Sequence, residues 1–268
     1  MDTQNFQPRT AIVTGSSSGI GRATAIALAH DGMDVGITWH SNEEGAEATA
    51  AAVREFGRRA ITIHLDTAEA PACADAVDAL VEKLGGLDVF VNNAGATISS
   101  PFLEFDWDTW RQVITTDLDG AFACIQRAAR HMVQQGTGGR IIAVTSVHAF
   151  QPKAGYTAYS TAKHGLGGMI ENIAIELARH GITANAVAPG EIDVRSSDRG
   201  DDVAAIDRPG IPMGRAGRSS EIADVIAFLA SAKSSYVNGA SWVVDGGMLQ
   251  MGPQGASSLT SDDWLKKE

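Results

Sequence analysis

Tyr159 and Lys163 stand four residues apart in Ala158-Tyr159-Ser160-Thr161-Ala162-Lys163, a spacing that brings both side chains to one face of a helix. The apolar positions Leu166, Ile170, Ile173 and Leu177 continue the helical period. A free phenol ionises only near about pH 10, but an adjacent ammonium favours the phenolate, so such a pair can give and take a proton. Ser146 lies thirteen residues earlier, after the apolar run Arg140–Thr145, in the region where open α/β sheets bind ligands. A bare Tyr-x-x-x-Lys is also what a half-buried helix shows when both side chains snorkel to water, and a lone serine equally caps a turn. The elements around these residues decide between the two.

A second group of residues suits a nucleotide. The apolar run Thr10–Thr14 passes straight into Gly15-Ser16-Ser17-Ser18-Gly19-Ile20-Gly21, where a helical run begins. Glycines there let the backbone approach a pyrophosphate, and the N–H groups and positive dipole end of the next helix attract its charge. Alone, the loop is equally a tight strand-to-helix connection.

Short apolar runs at 10–14, 34–38, 60–65, 88–92, 140–145, 183–187 and 241–245 alternate with stretches mostly long enough for crossover helices. That pattern predicts a doubly wound α/β fold, a seven-stranded parallel sheet covered on both faces. Gly32 and Gly57 close helical runs, and Ser219-Ser220 precede a helix striped by Ile222, Val225, Ile226 and Leu229. No repeat or low-complexity linker divides the chain, so one domain of 268 residues is expected. It carries a polar loop at about 191–218, and a tail from about 250 to 268 that includes Leu259, Trp264 and Leu265.

A formal charge of −11 opposes binding to nucleic acid, which depends on clustered Lys and Arg. No apolar run reaches the length of a membrane span, and the first residues lack a secretion signal, so a cytoplasmic protein with no membrane partner is expected. Cys73 and Cys124 are too few for a disulfide framework and lie in alanine-rich helical stretches that favour packing. The seven histidines include no His-x-x-x-His pair, so no metal is expected.

Thr14-Gly15-x-x-x-Gly19-Ile20-Gly21, Asn92-Asn93-Ala94-Gly95, Tyr159-x-x-x-Lys163, Pro189-Gly190 and Val244-Asp245-Gly246-Gly247 occur in that order. Together, from about residue 8 to 249, they make the chain resemble the short-chain dehydrogenases/reductases. The resemblance implies a Rossmann-like domain that binds NAD(H) or NADP(H) and moves a hydride between the nicotinamide and a small alcohol or carbonyl substrate. Tyr159 would transfer the proton, Ser146 polarise the substrate oxygen, and Lys163 hold the nicotinamide ribose. The implied cofactor contacts are Gly15, Ser17, Ser18, Gly19, Ile20 and Gly21 in the loop and His40 and Ser41 after the second strand. Asp66 and Thr67 would lie near the adenine; Asn92, Asn93, Ala94 and Gly95 would follow the fourth strand. Pro189, Gly190 and Ile192 complete the set with Tyr159 and Lys163. Resemblance to sugar dehydrogenases and 3-oxoacyl reductases is carried by Arg208–Arg215 and Ser235–Gly239, and the family implies a homotetramer packed through the last strand and the helix from Ser219.

Two departures stand out. Asp117 occupies the place where relatives usually have an asparagine that holds water near the lysine; a carboxylate there would add negative charge beside Lys163. Val194 replaces a threonine that anchors the carboxamide, leaving that role to backbone at Ile192. The second strand ends in Trp39-His40-Ser41-Asn42, with no carboxylate in the turn to bond a ribose 2′-OH and repel a 2′-phosphate. His40, Ser41 and Asn42 can donate to a phosphate, so NADP(H) is expected ahead of NAD(H), although Ser18 stands where many NADP-dependent relatives carry a cation. The rival is a nucleotide-binding regulatory or scaffold protein that has lost the chemistry; the intact Ser146, Tyr159 and Lys163 favour the enzyme.

Overall fold

Successive residues of a strand face opposite sides of a sheet, so Ala11-Ile12-Val13 and Val89-Phe90-Val91, apolar throughout, need cover on both faces. The computed structural model, which describes residues 6–194, 208 and 210–251, supplies it. The order is β1 (Thr10–Val13), α1 (Gly19–His30), β2 (Asp34–Trp39), α2 (Glu43–Glu55), β3 (Ala60–His64), α3 (Ala70–Leu84) and β4 (Val89–Asn92). Then follow α4 (Trp107–Ile114), a π-helical turn (Thr115–Asp119), α5 (Gly120–Gln135), β5 (Gly139–Val144) and α6 (Thr157–Leu177). The chain continues through β6 (Ile182–Pro189), β7 (Ile192–Asp193), β8 (Gly217–Arg218), α7 (Ser219–Ala230), β9 (Ser241–Val244) and α8 (Met248–Met251).

All seven expected strands join one parallel sheet in the order β3-β2-β1-β4-β5-β6-β9. Alternation along the strands divides the core in two. Ile12, Phe90 and Ile141 pack with Val77 and Leu80 of α3, Cys124 and Ile125 of α5, and Leu166 and Ile170 of α6. Ala11, Val13, Val89 and Ile142 pack on the other face with Leu28 of α1, Val53 of α2, and Ile222, Ile226 and Leu229 of α7. Strand order reverses between β1 and β4, which opens a crevice at their carboxyl ends, the usual ligand position in such sheets.

Some boundaries differ from expectation. Ser219 does not cap α7 but is its first residue; Arg218 is the cap, and the Glu221 carboxylate accepts the Arg218 backbone N–H at 2.7 Å. The segment expected as a loop at 191–218 contains β7, paired in parallel with β8 as a separate two-stranded ladder. Residues 195–207 and 209, and the tail from 252 with Leu259, Trp264 and Leu265, lie outside the described residues. Among the described residues no helix is long and apolar enough to cross a membrane.

One unpredicted feature positions the site. Between α4 and α5 the helix widens into the π turn, a form that concentrates at functional sites because it re-aims side chains. Asp117 lies in it, fully buried. Gly120 follows; a Cβ there would come 2.1 Å from the Thr67 carbonyl oxygen, so only glycine lets this turn close against the loop after β3.

Candidate active site

A cleft of about 790 Å³ runs along the carboxyl ends of the central strands. At its middle the glycine loop is fixed by hydrogen bonds rather than by apolar packing. Gly15 has φ of +61°, and a Cβ at Gly21 would lie 2.3 Å from the Gly15 carbonyl oxygen, so helix α1 starts directly against the turn. The Thr14 hydroxyl accepts from the backbone N–H groups of Asn93 (2.9 Å) and Ala94 (3.0 Å). The Asn93 amide donates back to the carbonyls of Thr14 (2.9 Å) and Gly15 (3.1 Å). On the other side Gly15 N–H donates to the Thr38 hydroxyl at 3.0 Å, and Thr38 N–H to the Ser16 hydroxyl at 3.1 Å.

The first helical bond of α1 runs from Arg22 N–H to Ser18 carbonyl, and the Ser18 side chain makes no capping bond. The N–H groups of Gly19, Ile20 and Gly21 in the first turn of α1 thus have no intrahelical acceptor, a donor set suited to a pyrophosphate. Ser17, Ser18, Gly19 and Ile20 line the cleft, and Val194 reaches over Gly19. With the glycine cradle held open by Thr14, Thr38 and Asn93, these residues fit a dinucleotide.

At one end of the cleft stand Ser146, Tyr159 and Lys163. Ser146 follows β5 and caps a short turn, its hydroxyl accepting from His148 N–H at 3.1 Å, which leaves its own proton to be donated outward. Tyr159 and Lys163 face the same way from α6, with Lys163 Nζ 5.5 Å from the Tyr159 ring centre. Lys163 is buried; its ammonium donates to the Val144 carbonyl at 3.3 Å and lies 3.3 Å from Asp117 Oδ2. Asp117 Oδ1 accepts from Ala96 N–H at 2.6 Å. Two buried opposite charges in contact hold each other far more firmly than a surface pair, because neither has water as an alternative partner. His148 lies beside Tyr159 with ring centres 6.4 Å apart, and Tyr156 at 6.1 Å.

At the other end are His40, Ser41, Asp66 and Thr67. His40 Nε2 lies 3.5 Å from Asp66 Oδ2, with the His40 side chain 66% exposed. Asp66 also accepts from Ala68 N–H at 2.9 Å, and its carbonyl accepts from the Cys73 thiol at 3.0 Å, so this cysteine is a packed support of the turn. Asn42, expected as a phosphate donor, caps α2 through its amide oxygen, which accepts from Gly45 N–H at 2.9 Å, and it does not border the cleft.

Of the remaining expected cofactor residues, Gly15, Asn93, Ala94, Gly95, Pro189, Gly190 and Ile192 line the cleft. Gly21 and Asn92 do not border it. Gly21 is the close-packed start of α1, and Asn92 is a buried strand end whose side-chain amide has no hydrogen-bond partner among the described residues. Ile192 is held by the β7–β8 ladder, and Glu191 pairs with Arg208 at 2.7 Å. Trp39, Gln112 and Thr116 also line the cleft and were missed. Gln112 and Thr116 are four residues apart just before Asp117, a spacing that signals a shared helical face. Among the described residues no group of three or more His, Cys, Asp or Glu side chains gathers as a metal site would.

The family profile described as enoyl-(acyl carrier protein) reductase matches residues 15–249. The chain is 48% identical to the uncharacterized oxidoreductase YohF of Escherichia coli K12, over 92% of this chain and 98% of YohF. It is 38% identical to an L-rhamnose 1-dehydrogenase (NAD(P)(+)) of Sphingomonas sp. SKA58, over 91% of this chain and 97% of that one. The crystal structure of acetoin dehydrogenase from Enterobacter cloacae superimposes with a TM-score of 0.89 at 48% identity, covering 93% of this chain and 99% of the other. With the glycine cradle, the strand order and these similarities together, the chain belongs to the short-chain dehydrogenases/reductases and is an NAD(P)-dependent oxidoreductase.

Proposed function

We propose that this oxidoreductase interconverts a small secondary alcohol and its ketone, and that Ser146, Tyr159, Lys163 and Asp117 carry the chemistry. The observation that supports this most is the buried Lys163–Asp117 pair directly beneath Tyr159 at the end of the cleft. When bound, the nicotinamide supplies or accepts the hydride. Ser146 donates its hydroxyl proton in a hydrogen bond to the substrate oxygen and so polarises the carbonyl. The Tyr159 hydroxyl gives its proton to that oxygen in reduction and takes it back in oxidation. Lys163 stabilises negative charge on the Tyr159 oxygen and binds the nicotinamide ribose. Asp117 fixes the ammonium between itself and the Val144 carbonyl, so that one geometry serves every turnover.

NADP(H) is the favoured cofactor in this reading, because the cleft near the end of β2 presents His40 and Ser41 and no carboxylate from that turn. Similarity to acetoin dehydrogenase and L-rhamnose 1-dehydrogenase supports a hydroxy-ketone, sugar or polyol substrate, with 3-oxoacyl thioesters as the rival class. The proposal extends to a homotetramer. β9 is an edge strand with Val243 exposed, and Trp242 stacks near Phe228 of α7 at 5.5 Å, so an apolar face is available for a second copy. Absorbance of the reduced nicotinamide, followed with acetoin, diacetyl, L-rhamnose and a 3-oxoacyl thioester, tests the substrate class. Turnover of none of them overturns it, and sedimentation tests the assembly.

A further inference from the structure

The turn after β5 carries a histidine that the chemistry above does not use. Val147–Ala149 form a short helical turn, closed by Ala149 N–H on the Ser146 carbonyl and by Gln151 N–H on the Val147 carbonyl, both at 2.9 Å. His148 leaves this turn two residues past Ser146, and its own N–H holds the Ser146 hydroxyl at 3.1 Å. Its ring centre lies 6.4 Å from that of Tyr159 and 5.5 Å from that of Tyr156, whose other side carries the Lys153 ammonium at 4.5 Å. The segment before α6 is tied down as well, since the Gly155 carbonyl accepts from Ser100 N–H at 2.9 Å. The imidazole is thus held beside both Ser146 and Tyr159, just past the end of the cleft where those two residues stand.

Its two nitrogens differ in role. Nδ1 lies 3.1 Å from the Gln151 carbonyl oxygen, which can only accept, so Nδ1 carries the proton. In a neutral imidazole the other nitrogen then offers a lone pair, and Nε2 has no hydrogen-bond partner among the described residues. A fixed acceptor beside the reacting carbon discriminates among substrates by what they can donate.

Resting on the small-ketone reading above, we infer that His148 is a specificity-determining residue whose Nε2 accepts a hydrogen bond from a hydroxyl on the carbon next to the carbonyl. The favoured substrates are then α-hydroxy ketones and the matching vicinal diols. Plain ketones and 3-oxoacyl thioesters, which carry no hydroxyl on that carbon, leave Nε2 unpaired. Proton transfer stays with Tyr159.

The test uses the full chain with reduced nicotinamide at pH 8 and compares kcat/KM for acetoin with that for 2-butanone, the same carbon skeleton without the hydroxyl. His148→Phe keeps a ring against Tyr156 and Tyr159 but has no acceptor, whereas His148→Gln keeps one. The acetoin-to-butanone ratio should fall roughly tenfold in His148→Phe, as expected for one neutral hydrogen bond, and clearly less in His148→Gln. A ratio that His148→Phe leaves unchanged, both activities falling in proportion or neither falling, overturns the inference while the small-ketone reading stands. If circular dichroism shows that His148→Phe is unfolded, His148→Leu takes its place with the same two outcomes. Reduction of neither ketone by the unaltered protein, with the nucleotide bound, strikes down the small-ketone reading and this inference with it.

Discussion

Each end of the cleft carries a basic side chain facing a carboxylate at nearly the same distance, 3.3 Å for Lys163 and Asp117 and 3.5 Å for His40 and Asp66. Their surroundings differ. Lys163 and Asp117 are 4% and 0% exposed, locked further by Val144 and Ala96, while His40 is 66% exposed. Coulomb attraction at equal separation is several-fold larger where water is excluded, and so is the cost of leaving one partner alone. Contact distance therefore says little about what a pair does. The buried pair sets a fixed geometry, and the exposed pair is free to respond to its solvent.

The largest effect expected is on turnover. Tyr159→Phe should lower kcat by roughly 100- to 10 000-fold, as loss of a proton-transfer group does, while nucleotide binding by fluorescence titration stays intact. Retained turnover would remove the buried pair from the chemistry. Next, Asp117→Ala leaves the Lys163 ammonium buried without its partner and should destabilise the fold by about 3–5 kcal/mol in urea unfolding. Asp117→Asn keeps a hydrogen-bonding oxygen, so it should cost clearly less. Its pH–rate profile for alcohol oxidation should move toward acid, because removal of a negative charge favours proton release nearby. An unmoved profile would make Asp117 purely structural.

A third pair sharpens the contrast. Glu221 is forked onto Arg215 at 2.7 and 2.8 Å and also accepts the Arg218 backbone N–H, and the Arg215 bonds, then the Arg218 bond, pull its carboxyl down to about 2 from an ordinary 4.5. A carboxyl with a depressed folded value stabilises above pH ~4.5 and loses that contribution as pH falls toward about 2. Glu221→Gln should thus cost about 0.5–1 kcal/mol at neutral pH, given its exposure, and the difference from the unaltered protein should vanish in acid melts. Smallest of all, His40→Gln should change the unfolding free energy by less than about 0.5 kcal/mol.

The sheet was legible in the sequence because central strands covered on both faces leave nearly continuous apolar runs, as β1 and β4 do, and the half-buried edge strands β3 and β9 still keep short apolar stretches. The glycine loop and the Tyr159–Lys163 pair were legible because short-range spacing alone places them. What escaped was set by packing at long range. Nothing local distinguishes Thr14, Ser16 and Thr38 from ordinary strand-end residues, yet their hydroxyls fix the loop. Asn42 reads as a polar turn residue, and its amide oxygen takes up the α2 cap by accepting from Gly45 N–H. The serine cap of α7 failed for a related reason, since Glu221 satisfied the helix start from within. The π turn around Asp117 had no signature at all in the periodicity, which it interrupts by a fraction of a residue per turn.

Thr67 follows Asp66, and Gly120 follows the turn that carries Asp117, and these two places touch. An attempt to retune nucleotide choice by rebuilding the loop after β3 would press on the same peptide group against which that turn closes. Engineers would see lost turnover in variants altered only for coenzyme preference, and the remedy would lie in second-site changes along the start of α5 rather than in further changes around the adenine.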